Sequence, residues 1–150
     1  MNDWEKFQEE VINLLELQGW IISREQIAIH KKPDAIIEKY LDLGERKRYA
    51  VECKYYSNKI AKEELLSIYN DYLPLIENNI VDSLLIVTNA GLSPSALTFC
   101  MNKKDMHHLT FLDLQNKLIN FTNYINGLIS DYSIDNLYKY YTPQNYEDND

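Results

Sequence analysis

Two β-prone stretches joined by a short charged turn carry the most restrictive pattern in this chain. Pro33-Asp34 opens the first and Glu52-Cys53-Lys54 lies inside the second, with 17 residues between Asp34 and Glu52. The second stretch reads Tyr49-Ala50-Val51-Glu52-Cys53-Lys54-Tyr55-Tyr56. Strand side chains alternate between faces, so Glu52 and Lys54 point one way while Val51 and Cys53 point the other. Ala35 to Leu43 and Arg48 to Tyr56 read as the arms of a hairpin, with Gly44-Glu45-Arg46-Lys47 as its turn. Opposite residues of an antiparallel pair approach within ~4.5–5.5 Å, so two carboxylates on neighbouring arms can share an ion. A charge in an apolar strand is costly unless it is paired or bound. A divalent cation held by Asp34 and Glu52, with Lys54 beside it, meets that requirement. Glu-x-Lys alone carries no such meaning, because Glu45-Arg46-Lys47 repeats it in a charged turn. The plain alternative is a Glu/Lys ladder on an edge strand facing water.

The rest of the chain alternates helix and strand. Phe7, Val11, Leu14 and Leu15 recur at helical spacing within Trp4 to Gln18, with Asp3 as N-cap and Gly19 as stop. Trp20 to Ile29 reads as a strand through Ile21, Ile22, Ile27 and Ile29, broken at Arg24 to Gln26. Ile60 to Tyr72 reads as a helix with Leu65, Ile68 and Tyr72 on one side, interrupted or bent at Pro74. Leu84 to Val87 is wholly apolar, as in a strand buried on both faces. Ser93 caps a short helix to Met101 with Pro94 in its first position. Leu109 to Leu112 reads as a last strand, and Asp113 to Asp131 as an amphipathic helix through Leu114, Leu118, Phe121, Ile125 and Leu128. The order α-β-β-β-α-β-α-β-α predicts an α/β fold, a central mixed sheet with helices on both faces.

Composition narrows the classes. One domain fits 150 residues, and 45% hydrophobic residues suffice for a core. No segment is apolar enough for a membrane span or a signal peptide. Cys53 and Cys100 are too few for a disulfide framework or a zinc knuckle, which predicts a cytoplasmic protein with reduced thiols. The net charge of −8 argues against a generic nucleic-acid coat protein but not against a nuclease. Lys31, Lys32, Arg46, Lys47, Arg48, Lys54, Lys59 and Lys62 supply local positive charge near the hairpin, or simply a solvated turn.

Pro33-Asp34, the gap and Glu52-Cys53-Lys54 resemble the PD-(D/E)xK nuclease superfamily. Trp4 to Val11, Leu17-Gln18-Gly19-Trp20, Val51 to Tyr56, Leu84 to Leu92 and Ser95-Ala96 extend the resemblance to its Mrr-like restriction endonuclease branch, over about residues 4–115. The resemblance implies a restriction-endonuclease-like fold and Mg²⁺-dependent cleavage of double-stranded DNA, with Mn²⁺ able to substitute. Asp34 and Glu52 are then metal ligands, the Cys53 backbone carbonyl adds an oxygen, and Lys54 orients or helps deprotonate the attacking water. Hard oxygen ligands suit Mg²⁺. The family often places a glutamate after the aromatic residue matching Phe7; this chain has Gln8. Glu9 reads as solvated on the helical projection, whereas Glu10 borders the apolar stripe, so Gln8 or Glu10 is the further candidate ligand.

The remaining candidates carry less. His107-His108 lie on opposite faces of a strand and read as surface. His30 with Lys31-Lys32 suits a phosphate or a plain surface. Tyr55 and Tyr56 suit stacking on nucleic acid, though in a strand one of them belongs to the core. Cys53 reads as a buried hydrophobe rather than a nucleophile. Residues 1–132 are expected to form the nuclease domain and 133–150 a tail or linker. Within that tail, Leu137 to Pro143 resembles the junction leading into the NTPase of bacterial antiphage STAND proteins. That resemblance implies an antiviral effector domain, active as a homo-oligomer ahead of a downstream NTPase. Two other readings stay open: a non-catalytic protein-interaction module on the same fold, and a nuclease acting on RNA or DNA junctions.

Overall fold

The hairpin forms and supplies two of the five strands of one sheet. A computed structural model describes residues 1–23, 33–41 and 43–131. The elements are α1 (Asp3–Leu17), β1 (Ile21–Ser23), β2 (Ala35–Tyr40), β3 (Arg46–Lys54), α2 (Lys62–Glu77), β4 (Ser83–Thr88), α3 (Pro94–Met101), β5 (Met106–Thr110) and α4 (Phe111–Asp131). The strands form one mixed sheet in the order β1-β2-β3-β4-β5. β1–β2 and β2–β3 pair antiparallel, while β3–β4 and β4–β5 pair parallel. Expected strand residues Ile27 and Ile29, together with His30, Lys31, Lys32 and the tail from Ser133, lie outside the described residues.

Strand alternation splits the interior in two. Ala35, Ile37, Val51, Cys53, Leu85 and Val87 pack with Phe7, Val11, Ile12 and Leu15 of α1 and with Leu114 of α4. Ile36, Ala50, Leu84, Ile86 and Met106 pack with Leu65, Ile68, Tyr69, Tyr72 and Leu75 of α2 and with Ala96 and Cys100 of α3. The two parallel crossovers step across the sheet in the same direction. With the same right hand, both must lay their helices on one face, which leaves α1 to cover the other. The chain divides into two compact units, Met1–Gln115 and Asn116–Asp150. The first holds the sheet, α1 to α3 and the start of α4. In the second, Leu118, Ile125 and Leu128 of α4 are half-buried.

Several boundaries move, each for a local reason. Asn2, not Asp3, caps α1, because Glu5 sits three residues on and completes a reciprocal capping box. Arg46 and Lys47 belong to β3, opposite Tyr40 and Lys39, since the turn closes earlier through Leu41 N–H to Glu45 C=O at 2.7 Å. Pro74 neither ends nor interrupts α2, which runs on to Glu77 around the fully buried Leu75. The last strand is Met106–Thr110 rather than Leu109 to Leu112. Thr110 and Asp113 exchange side-chain-to-backbone hydrogen bonds of 3.0 and 2.9 Å, so α4 begins at Phe111.

Gly19 stops α1 as expected. It lies at φ +93°, its N–H donates to Glu16 C=O, and Trp20 N–H reaches back to Leu15 C=O. Asn79, at φ +57°, closes α2 in the same way. Gly19→Ala is therefore expected to cost about 1–2 kcal/mol in urea denaturation, because a Cβ is disfavoured in this left-handed conformation. Asn79→Gly, relieving the same disfavour, shifts the midpoint the other way.

Candidate active site

Asp34 stands where β2 begins and is placed by its neighbour. Pro33 has no N–H and cannot extend the ladder. Asp34 N–H donates to Val51 C=O at 3.0 Å, just before the β2–β3 ladder opens at the Ala35–Val51 pair. The carboxylate then takes over the ladder: Cys53 N–H donates to Asp34 Oδ2 at 2.7 Å. Such a charge-assisted bond is roughly twice as strong as a neutral one. In an antiparallel pair a residue turns its N–H and C=O toward the same neighbour. The Cys53 carbonyl thus also points to the side where Asp34 stands.

Glu52 projects onto the α2 face and is only 5% exposed. Tyr72 and Lys54 both help to compensate its charge. Tyr72, fully buried on α2, donates its hydroxyl to Glu52 Oε2. Lys54 Nζ lies 3.2 Å from Glu52 Oε1. Burial pushes the Lys54 amine down, but the charge and hydrogen bond of Glu52 outweigh it and hold the group above its ordinary value, as an ammonium. Burial, then the charge of Glu52, pushes the Tyr72 phenol far up, so it stays a neutral donor. Burial together with Asp34 and Glu52 likewise raises the Cys53 thiol, which points into the α1-side core. Its sulfur is inert, and only its backbone faces the carboxylates.

Other expected candidates fall elsewhere. Gln8 is half-buried and Glu10 exposed on α1, across the sheet from Glu52 and Lys54. Glu9 is half-buried rather than solvated, because the buried face of α1 extends to Ile12. Tyr55 and Tyr56 lie beyond the end of β3 and both are exposed, although the Tyr55 ring still packs on core Phe7, with centroids 5.4 Å apart. His107 packs edge-on against Tyr49. His108 is not plain surface. It is half-buried and shares a hydrogen bond of 2.8 Å with Thr88 Oγ1, and burial lowers its pKa. Thr88, paired in register with Lys54, also accepts Gly91 N–H at 3.0 Å and so shapes the loop after β4. Tyr72, Thr88 and Asn89 are site neighbours that the sequence reading missed. A tyrosine on an apolar helix stripe does require a hydroxyl partner, and Glu52 is that partner.

Among the described residues, no three His, Cys, Asp or Glu side chains gather to hold a metal. The oxygen donors gathered here are the Asp34 and Glu52 carboxylates, with the Cys53 backbone carbonyl on the same side as Asp34. That donor set fits Mg²⁺, a hard ion that keeps several waters.

Known proteins agree with this geometry at the level of family and fold. No curated protein gives a significant match. A solved structure of AF1548, described as a protein of unknown function, superposes with a TM-score of 0.52 at 20% identity, over 69% of this chain and 56% of that one. The DNA modification-dependent restriction endonuclease AspBHI superposes with a TM-score of 0.55 at 12% identity, over 87% of this chain and 36% of that one. This chain thus spans about half of the first and about a third of the second, and at such identities the likeness is one of fold. Residues 1–119 match the family model Mrr_cat, restriction endonuclease. With four-fifths of its length inside that match, the chain belongs to the Mrr_cat restriction endonuclease family.

Proposed function

We propose that the chain is a Mg²⁺-dependent endonuclease that hydrolyses phosphodiester bonds of double-stranded DNA, with Mn²⁺ able to replace Mg²⁺. Family and fold support a nuclease. The observation that carries the finer reading is the Asp34 carboxylate held on the backbone N–H of Cys53, the residue after Glu52, with Lys54 paired to Glu52. Asp34, Glu52 and the Cys53 backbone carbonyl would hold the cation. The cation supplies Lewis acidity: it makes water a better nucleophile near neutral pH and offsets charge at phosphorus. The chain's own residues do the rest. Cys53 N–H fixes the orientation of the Asp34 carboxylate, and Tyr72 fixes that of Glu52. Lys54, kept protonated by Glu52, donates to water or to a phosphoryl oxygen where negative charge grows.

Membership of a restriction endonuclease family, and the likeness to the DNA modification-dependent restriction endonuclease AspBHI, support DNA as the substrate. The tail's resemblance to a STAND junction extends the proposal: a cytoplasmic antiviral effector, working as a homo-oligomer ahead of an NTPase domain. Chelation is the direct test. EDTA is expected to reduce plasmid nicking to background, and excess Mg²⁺ to restore it. The net charge of −8 favours a second reading, a non-catalytic interaction module. Calorimetry separates the two. Saturable Mg²⁺ binding that disappears in Asp34→Ala supports the nuclease, and its absence from the native chain supports the module.

A further inference from the structure

Next to Lys54 the surface opens into a cleft of about 400 Å³ lined by Tyr55, Tyr56, Ser57, Asn89 and Ala90. Cation binding gives these residues no task. Tyr56 is anchored three times. Its N–H donates to Asn89 Oδ1 at 2.8 Å, its C=O accepts from Asn89 Nδ2 at 2.8 Å, and its phenol donates to Glu64 Oε1 at 2.6 Å. Farther along, the same loop is stitched to the segment after β4: Ile60 N–H donates to Gly91 C=O at 3.0 Å and Ser93 N–H to Ile60 C=O at 2.9 Å. Despite this anchoring the two aromatic side chains stay open, with Tyr55 42% and Tyr56 36% exposed. A surface tyrosine held this firmly presents a fixed aromatic face, and a fixed face loses little entropy when a ligand docks.

Position adds the chemistry of the ligand. Lys54 Nζ lies 5.9 Å from the Tyr56 ring centroid. A flat group stacked on Tyr56 therefore lies close to the ammonium assigned to the phosphate. Ser57, on the cleft wall, offers a hydroxyl to a base edge, and exposed Lys59 in the same loop suits a flanking phosphate.

We propose that this cleft stacks an unpaired nucleobase of the DNA strand being cut, next to the scissile phosphate. The proposal rests on the nuclease reading and specifies its substrate. A base inside a duplex is already stacked on both sides and must be extruded, at an energetic cost, before it reaches Tyr56; a bulged or frayed base is free of that cost. Base–aromatic stacking is tolerant of sequence. The cleft thus selects duplexes opened at one nucleotide rather than a particular base order.

The test uses two probes in Ca²⁺, which occupies oxygen sites while cutting is suppressed. One is a duplex carrying 2-aminopurine in a single-nucleotide bulge, and the other is the same duplex fully paired. The bulged probe is expected to bind roughly 10-fold or more tightly, with a change in 2-aminopurine fluorescence. Tyr56→Leu removes that preference, whereas Tyr56→Phe, which keeps the ring, retains it. Equal affinity for the two probes, or a preference that survives Tyr56→Leu, overturns the proposal. If equal affinities accompany plasmid cutting that depends on Asp34, the cleft assignment alone falls. If DNA binding and Asp34-dependent cutting are both absent, the nuclease reading falls with it.

Discussion

Plasmid cleavage is expected to fall by roughly 10³-fold or more in Asp34→Asn while the fold stays intact. The choice of asparagine follows from what Asp34 does twice. Its Oδ2 accepts Cys53 N–H, and its negative charge acts on Cys53 and Tyr72 together with that of Glu52. Asp34→Ala removes both, and a buried N–H stripped of its acceptor costs about 1–3 kcal/mol. An amide oxygen keeps the acceptor and deletes only the charge. Asp34→Asn should therefore unfold within about 1 kcal/mol of the native chain and yet lose Mg²⁺ binding by calorimetry. Lys54→Met gives the complementary result, since loss of one preorganised electrostatic donor typically costs about 10²–10³ in rate. Native rates of cutting in Asp34→Asn would remove Asp34 from the chemistry.

The largest effect on stability is expected at Tyr72. Its side chain is fully buried between α2 and the sheet, so Tyr72→Ala should cost about 3–5 kcal/mol, as truncation of a core aromatic does. Tyr72→Phe separates the ring from the hydroxyl. The ring still packs, but Glu52 loses a donor in a place where it is nearly out of reach of water. Withdrawing a donor from a buried charged acceptor costs about 1–3 kcal/mol. Urea denaturation of the two variants reads both quantities. If Tyr72→Phe matches the native midpoint, the phenol contributes nothing to holding Glu52.

What could be read from the sequence was what is local. The Glu52/Lys54 pairing follows from strand period alone, and the Ser93-Pro94 start of α3 follows from capping chemistry. Buriedness of β4 follows from an unbroken apolar run. What escaped depended on partners far along the chain. Nothing near Tyr72 announces that its hydroxyl meets Glu52, because the register of α2 on β3 is set by packing. Tyr55 and Tyr56 looked like strand residues because their composition is β-prone. The side-chain amide of Asn89, 33 residues away, captures both backbone groups of Tyr56 and draws the chain out of the ladder. At the other edge, the Thr110–Asp113 box outweighed the apolar run Leu109 to Leu112 and turned its second half into helix.

Parity along β3 divides labour. Val51 and Cys53 belong to one layer of the protein, and Glu52 and Lys54 to the other. Selection can therefore act on the two sets almost independently. Drift in the contour of the α1 layer leaves the reactive pair where it was, and a change of chemistry on the opposite side need not disturb how α1 is seated. A single extended segment thus lets the scaffold and its reactivity evolve at different rates.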